Sequence, residues 1–99
     1  MQYAIIKSAI ERRESLTGKY EEYIRHFSPH VLGEDRQGAV CVLGFQYGGG
    51  RPRSLPSAGD WCFFQVDKLR DLYPNGDRWL AGPFENKPLY RFARIEVQA

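Results

Sequence analysis

The chain has 99 residues, a net charge of +2, and is 42% hydrophobic and 14% aromatic. These totals fit one domain over residues 1–99 with its own core, and they exclude a disordered or low-complexity chain. They also lack the heavy basic footprint of a dedicated nucleic-acid binder, although ten Arg against four Lys favours planar, phosphate-type recognition over point charge.

From the N-terminus, Ile6, Ala9, Ile10 and Arg13 follow helical spacing, which predicts one helix over Tyr3–Ser15. Leu16–Tyr20 and Tyr23–Phe27 are expected as strands, with Glu21-Glu22 a link short enough for a hairpin. Ser28-Pro29-His30 predicts a break, because proline lacks an amide proton and restricts its predecessor. Val31–Gly33 resumes a strand, and Glu34–Gly38 is a polar turn. Ala39–Tyr47 is near-continuously apolar and is expected to be buried on both faces. Gly48–Gly59 is rich in Gly, Pro and Ser and predicts a loop of about a dozen residues, a length that usually carries function. Trp61–Val66 is an aromatic strand, Asp67–Leu72 a helical turn, and Tyr73–Asp77 a turn around Pro-Asn-Gly. Trp79–Pro88 is irregular, and Leu89–Val97 is a last strand with a mixed, bulge-like pattern. One helix followed by five or six short strands predicts a mainly β fold: a small SH3-like or Sm-like bent antiparallel barrel with one N-terminal α-helix.

Cys41 and Cys62 each sit in an apolar run without CxxC or Cys/His ligand spacing, so both are expected as small core residues. His26 and His30 stand four apart, but Pro29 between them argues against the helix that a metal pair would need. No metal or cofactor is expected. Neither Cys is accompanied by an orienting group for His30, so no enzyme is expected. No apolar run approaches about 18 residues and no signal-like apolar segment opens the chain, so a cytoplasmic protein with no membrane role is expected.

Four motifs, in order, resemble the WYL domain family. The segment Ile6-Lys7-Ser8-Ala9-Ile10-Glu11-Arg12-Arg13-Glu14-Ser15-Leu16 is similar to the family's opening helix. Tyr20 matches a strand tyrosine. Arg25 through Gly33 is similar to the Arg-containing strand that leads into Pro-His-x-Leu-Gly. Trp61 through Leu69 is similar to the closing Trp-to-Asp-Arg-Ile strand. The name-giving Trp-Tyr-Leu triplet is replaced by Val40-Cys41-Val42, and the usual arginines are Cys62 and Lys68. These 99 residues hold none of the helix-turn-helix domain to which the family is usually attached. A divergent, stand-alone WYL-like domain is therefore expected.

The resemblance implies that Tyr20, Arg25, His30 and Lys68 line a groove suited to phosphate-bearing ligands. Arg51 and Arg53 join them from the long loop, since guanidinium groups offer a bidentate fork to phosphate. Gly48-Gly49-Gly50 could present amides to an anion, but a flexible hairpin connection is the favoured reading. The expected function is a regulatory module that binds a nucleotide-type ligand or single-stranded nucleic acid. The alternative is a stand-alone interaction subunit, a homodimer or the partner of a transcriptional regulator, with no small ligand.

Overall fold

A computed structural model describes residues 2–99. Helix α1 spans Gln2–Arg12 and buries Ile6, Ala9 and Ile10, the three apolar positions that its spacing singled out. It stops three residues earlier than the Tyr3–Ser15 expected from sequence. Arg13 turns into the left-handed region at φ 54°. The Glu14 and Arg13 amides then bond back to the Ala9 and Ile10 carbonyls at 2.8 and 3.3 Å, a pair of closures that satisfies the last helical carbonyls. Ser15 is buried instead, with its hydroxyl 2.8 Å from that of Ser28.

The six strands are β1 (Leu16–Tyr20), β2 (Tyr23–Asp35), β3 (Val40–Gly49), β4 (Asp60–Gln65), β5 (Arg70–Pro74) and β6 (Phe92–Gln98). All pairings are antiparallel, in the order β4-β3-β2-β1-β5 with β6 also on β2. The sheet is not closed: no ladder joins β4 to β5 among the described residues. The mainly β character and the N-terminal helix are as the sequence predicts. Among the described residues no helix is long and apolar enough to cross a membrane.

β2 is the spine. β3 pairs with it from Arg25↔Gly49 to Glu34↔Val40. The opposite edge is divided: β1 takes Tyr23–Phe27, and β6 takes Val31–Asp35. Ser28-Pro29-His30 lies at the division. The expected break does not occur, because β2 runs straight through it. Proline's missing amide proton falls where neither neighbour strand needs it, as edge and bulge positions allow. The register shifts between Pro29↔Gly44 and Val31↔Leu43, which makes His30 the extra residue of a bulge. The irregular segment after β5 then fills the gap. Leu80 N–H donates to Ser28 Oγ at 2.9 Å, and Trp79 Nε1–H donates to the Pro29 carbonyl at 3.0 Å.

Two cores lie on opposite faces of the sheet. One joins α1 to Leu16, Phe27, Leu32, Val42, Phe64, Val66 and Leu69. The other holds Val31, Cys41, Leu43 and Phe92 with Trp61, Phe63 and Leu89 around them. β3 is thus covered on both faces, the arrangement its apolar run implies. Cys41 and Cys62 are both free thiols, Cys41 buried in the second core and Cys62 against the first. Further along, only Val66–Lys68 forms a helical turn, and β5 occupies much of what sequence assigns to that turn and the next. Leu89–Arg91 is a short 3-10 turn, and β6 begins at Phe92.

Candidate functional site

The β1–β2 hairpin turns on Glu21 and Glu22, with Tyr20 opposite Tyr23. Both glutamates have positive φ, 52° and 67°, the backbone of a two-residue type I′ turn that normally selects Asn-Gly. Arg25 holds this turn in place. Its Nε and Nη2 both donate to the Tyr20 carbonyl at 3.2 and 3.1 Å, and Nη2 also donates to Glu21 Oε1 at 3.2 Å. Its Nη1 reaches Gln46 Oε1 at 3.2 Å. The guanidinium lies over the rings of Tyr20, Tyr23 and Phe64 at 5.4, 5.8 and 5.4 Å. Arg25 is only 3% exposed, so most of its hydrogen-bonding capacity is spent inside the protein.

A cleft of about 380 Å³ opens beside this hairpin, lined by Tyr20, Glu21, Arg25, Arg51–Arg53 and Asp60–Phe64. Its far wall is β4 from Asp60 to Phe64, and beyond the cleft Gln65 N–H donates to Tyr20 Oη at 3.1 Å. The loop supplies Arg51, which pairs with Asp60 at 3.1 Å and donates to the carbonyls of Arg53 and Ser54 at 3.3 and 3.0 Å. That side chain is 15% exposed and pins the loop over the cleft. Arg53 is exposed, and its guanidinium has no hydrogen-bond or ion-pair partner among the described residues. Three guanidinium groups therefore face two carboxylates, Glu21 and Asp60, which leaves the cleft positive.

Gln46 joins the two sides beneath the cleft. Its Oε1 accepts from Arg25 and from the Cys62 thiol at 3.3 Å, while its Nε2 donates to the Gly48 and Gly50 carbonyls at 3.0 Å each. Burial pushes the Cys62 thiol up, against the lowering pull of Arg51 and Arg25, so it remains a protonated donor at neutral pH. The glycine run is consumed by this network. Gly48 and Gly49 end β3, the Gly50 amide donates to the Ile24 carbonyl at 2.9 Å, and the Gly48 and Gly50 carbonyls turn inward to Gln46. Gly49 has φ 82°, and a Cβ there would collide with the Ile24 carbonyl oxygen. Close packing explains this glycine without any anion.

Of the six residues proposed from sequence, Tyr20, Arg25, Arg51 and Arg53 come together at this cleft. Lys68 ends the Val66–Lys68 turn, exposed, and lines no part of it. His30 is buried on its bulge, stacked on Trp79 with centroids 4.3 Å apart and edge-on to Trp61 at 4.8 Å. Its Nε2–H donates to the Leu80 carbonyl at 2.9 Å. Burial lowers its pKa to about 4, with Lys87 and Arg13 adding to the effect and the Leu80 bond opposing it.

No protein-family model, curated protein or solved structure matches this chain.

Glu21, Gln46, Asp60 and Cys62 were not singled out from sequence as site residues. Gln46 had a signal: it is the one amide side chain within the apolar run Ala39–Tyr47, and a lone amide in a buried strand must find partners. Asp60 has none, since only the fold brings Arg51 to it, whereas Glu21 meets Arg25 four residues on across the hairpin.

Proposed function

We propose that this chain is a non-enzymatic, WYL-like regulatory module that captures a nucleotide-type ligand or single-stranded nucleic acid in the cleft. Arg53 is the observation that carries the reading: an unpartnered guanidinium at the rim of a positive cleft. Arg25 and Arg51 act beneath it as fixed charge, and Tyr20 anchors the wall. Capture is electrostatic, a phosphate meeting a guanidinium fork. The cleft's net charge is small, so the salt dependence is shallow. A small SH3-like or Sm-like barrel is the finer fold we assign. The Gln65–Tyr20 bond spans the open side of the sheet and supports it.

A second reading is a stand-alone interaction subunit, either a homodimer or the partner of a transcriptional regulator. Phe84 and Tyr90 favour it, being 82% and 76% exposed, since large exposed aromatics suit interface cores. Fluorescence polarisation with labelled nucleotides and single-stranded oligonucleotides, at low and moderate salt, separates the two. Saturable binding that weakens with salt supports the ligand module. No binding at protein concentrations of tens of micromolar, together with a concentration-dependent dimer in sedimentation, would favour the interaction subunit.

A further inference from the structure

A second positive site lies on the other side of Trp61, and its cations are free where those of the cleft are mostly spent. Arg13, at the end of α1, places its guanidinium 5.5 Å from the centre of the Trp79 ring. Lys87 places its ammonium 5.3 Å from the centre of the Trp61 ring and 3.3 Å from His30 Nδ1. His30 uses Nε2–H on the Leu80 carbonyl, so Nδ1 is the acceptor for Lys87. Neither cation is in an ion pair among the described residues, although Glu14 and Glu85 are close to them in the chain. Both line one cavity of about 250 Å³ with His30, Trp79 and the largely exposed Phe84.

We infer that Arg13 and Lys87 form a binding site for a phosphomonoester dianion. Neither cation pairs with a side-chain carboxylate among the described residues, although Ala99 shares the cavity wall, and together they suit the charge of about −1.5 to −2 that such a group carries at pH 7. Aromatic faces and a neutral imidazole hold both cations in place yet cannot neutralise them, so the field stays open to an anion. Arg13 supplies a planar fork and Lys87 a point charge. Trp79 is already engaged by His30 and Arg13, whereas the largely exposed Phe84 offers a free ring on which a nucleobase could lie. A free phosphate and a nucleotide phosphate would use the same two cations.

Trp61 and Trp79 are the only two tryptophans. Their indole N–H groups donate to the Pro83 and Pro29 carbonyls at 3.1 and 3.0 Å, so each gives one amide-type NMR signal in a fixed environment. Titrating the intact protein with inorganic phosphate, and separately with AMP, should shift the Trp79 signal saturably at low salt. Arg13→Gln and Lys87→Met should each weaken the response about tenfold, and Lys87→Arg should retain it. An Arg51→Ala/Arg53→Ala variant, altered only in the cleft, should respond like the parent, so this site can fail or stand separately from the cleft. A stronger response to AMP that disappears in Phe84→Ala identifies the source as a nucleotide, and equal responses identify free phosphate. No saturable shift with either probe overturns the inference. So does a shift that survives in the Arg13→Gln/Lys87→Met double variant once its thermal unfolding shows that it is folded.

Discussion

Burial between Trp61 and Trp79 keeps His30 neutral at pH 7, with its pKa lowered to about 4. In the unfolded chain an imidazole titrates near 6.5. Between these values the unfolded state binds the extra proton, so its share of the stability is complete above about pH 6.5 and is lost as pH falls toward 4. The loss is on the order of 3 kcal/mol at about 1.4 kcal/mol per unit. Urea unfolding at pH 7 and pH 4.5 should show this slope in the parent, and a folded His30→Gln variant should lack most of it. An equal slope in both would mean that carboxylates carry the acid sensitivity. Arg25 makes the complementary point. Its charge is buried and hydrogen-bonded, so Arg25→Ala should destabilise by about 3 kcal/mol or more, and loss of ligand binding in that variant would report unfolding as readily as lost contact. The hairpin glutamates are strained in the opposite sense. Glu22 is exposed at φ 67°, and its ion pairs to Lys19 and Arg70 are at 3.6 Å on the surface, where such pairs contribute little. Glu22→Gly should raise stability by about 1 kcal/mol in denaturant titration, since glycine adopts this backbone freely.

At the scale of elements, the glycine-rich end of β3 and the turn before it separate two reasons for a glycine. Gly38 has φ 84° with open space around its Cβ position, while Gly49 has φ 82° and the Ile24 carbonyl in the way. Gly38→Ala should cost about 1 kcal/mol from backbone strain alone. Gly49→Ala should cost at least twice as much and disturb the cleft, because β2 must move away from β3. Equal costs in thermal unfolding would contradict the close packing at Gly49. Much of this layer could be read directly from the chain. The helical face Ile6-Ala9-Ile10, the strand Leu16–Tyr20 and the doubly buried β3 follow from local apolar spacing, which depends on nothing beyond the segment itself. The division of β2's edge at Pro29 could not be read. Proline there looks like a break until β1, β6 and the segment around Trp79 are all in place to share one strand. The bulge at His30 is hidden for the same reason, because it exists only in the register with Gly44 and Leu43. Sequence therefore grouped His30 with Arg25, whereas the bulge turns it toward Trp79.

For the whole molecule, +2 is a weak field, and long-range attraction adds little to binding. Recognition must come from where particular cations lie. Of those without an ion pair among the described residues, Arg53 stands at the cleft, Arg13 and Lys87 lie across Trp61, and Lys68 lines neither site. With about one to two phosphate contacts at the cleft, log affinity should fall with log salt at a slope of roughly −1. A slope of −4 or steeper would mean that several further cations outside the cleft meet phosphates. The most direct test of the cleft is a polarisation titration with a labelled single-stranded oligonucleotide in the Arg13→Gln/Lys87→Met background, which removes the second site. Arg53→Ala is compared there with Lys68→Ala. The cleft account predicts about a tenfold loss of affinity for Arg53→Ala, with Lys68→Ala unchanged and both variants unfolding at the parent's temperature. Unchanged binding in Arg53→Ala, or a loss confined to Lys68→Ala, would contradict it.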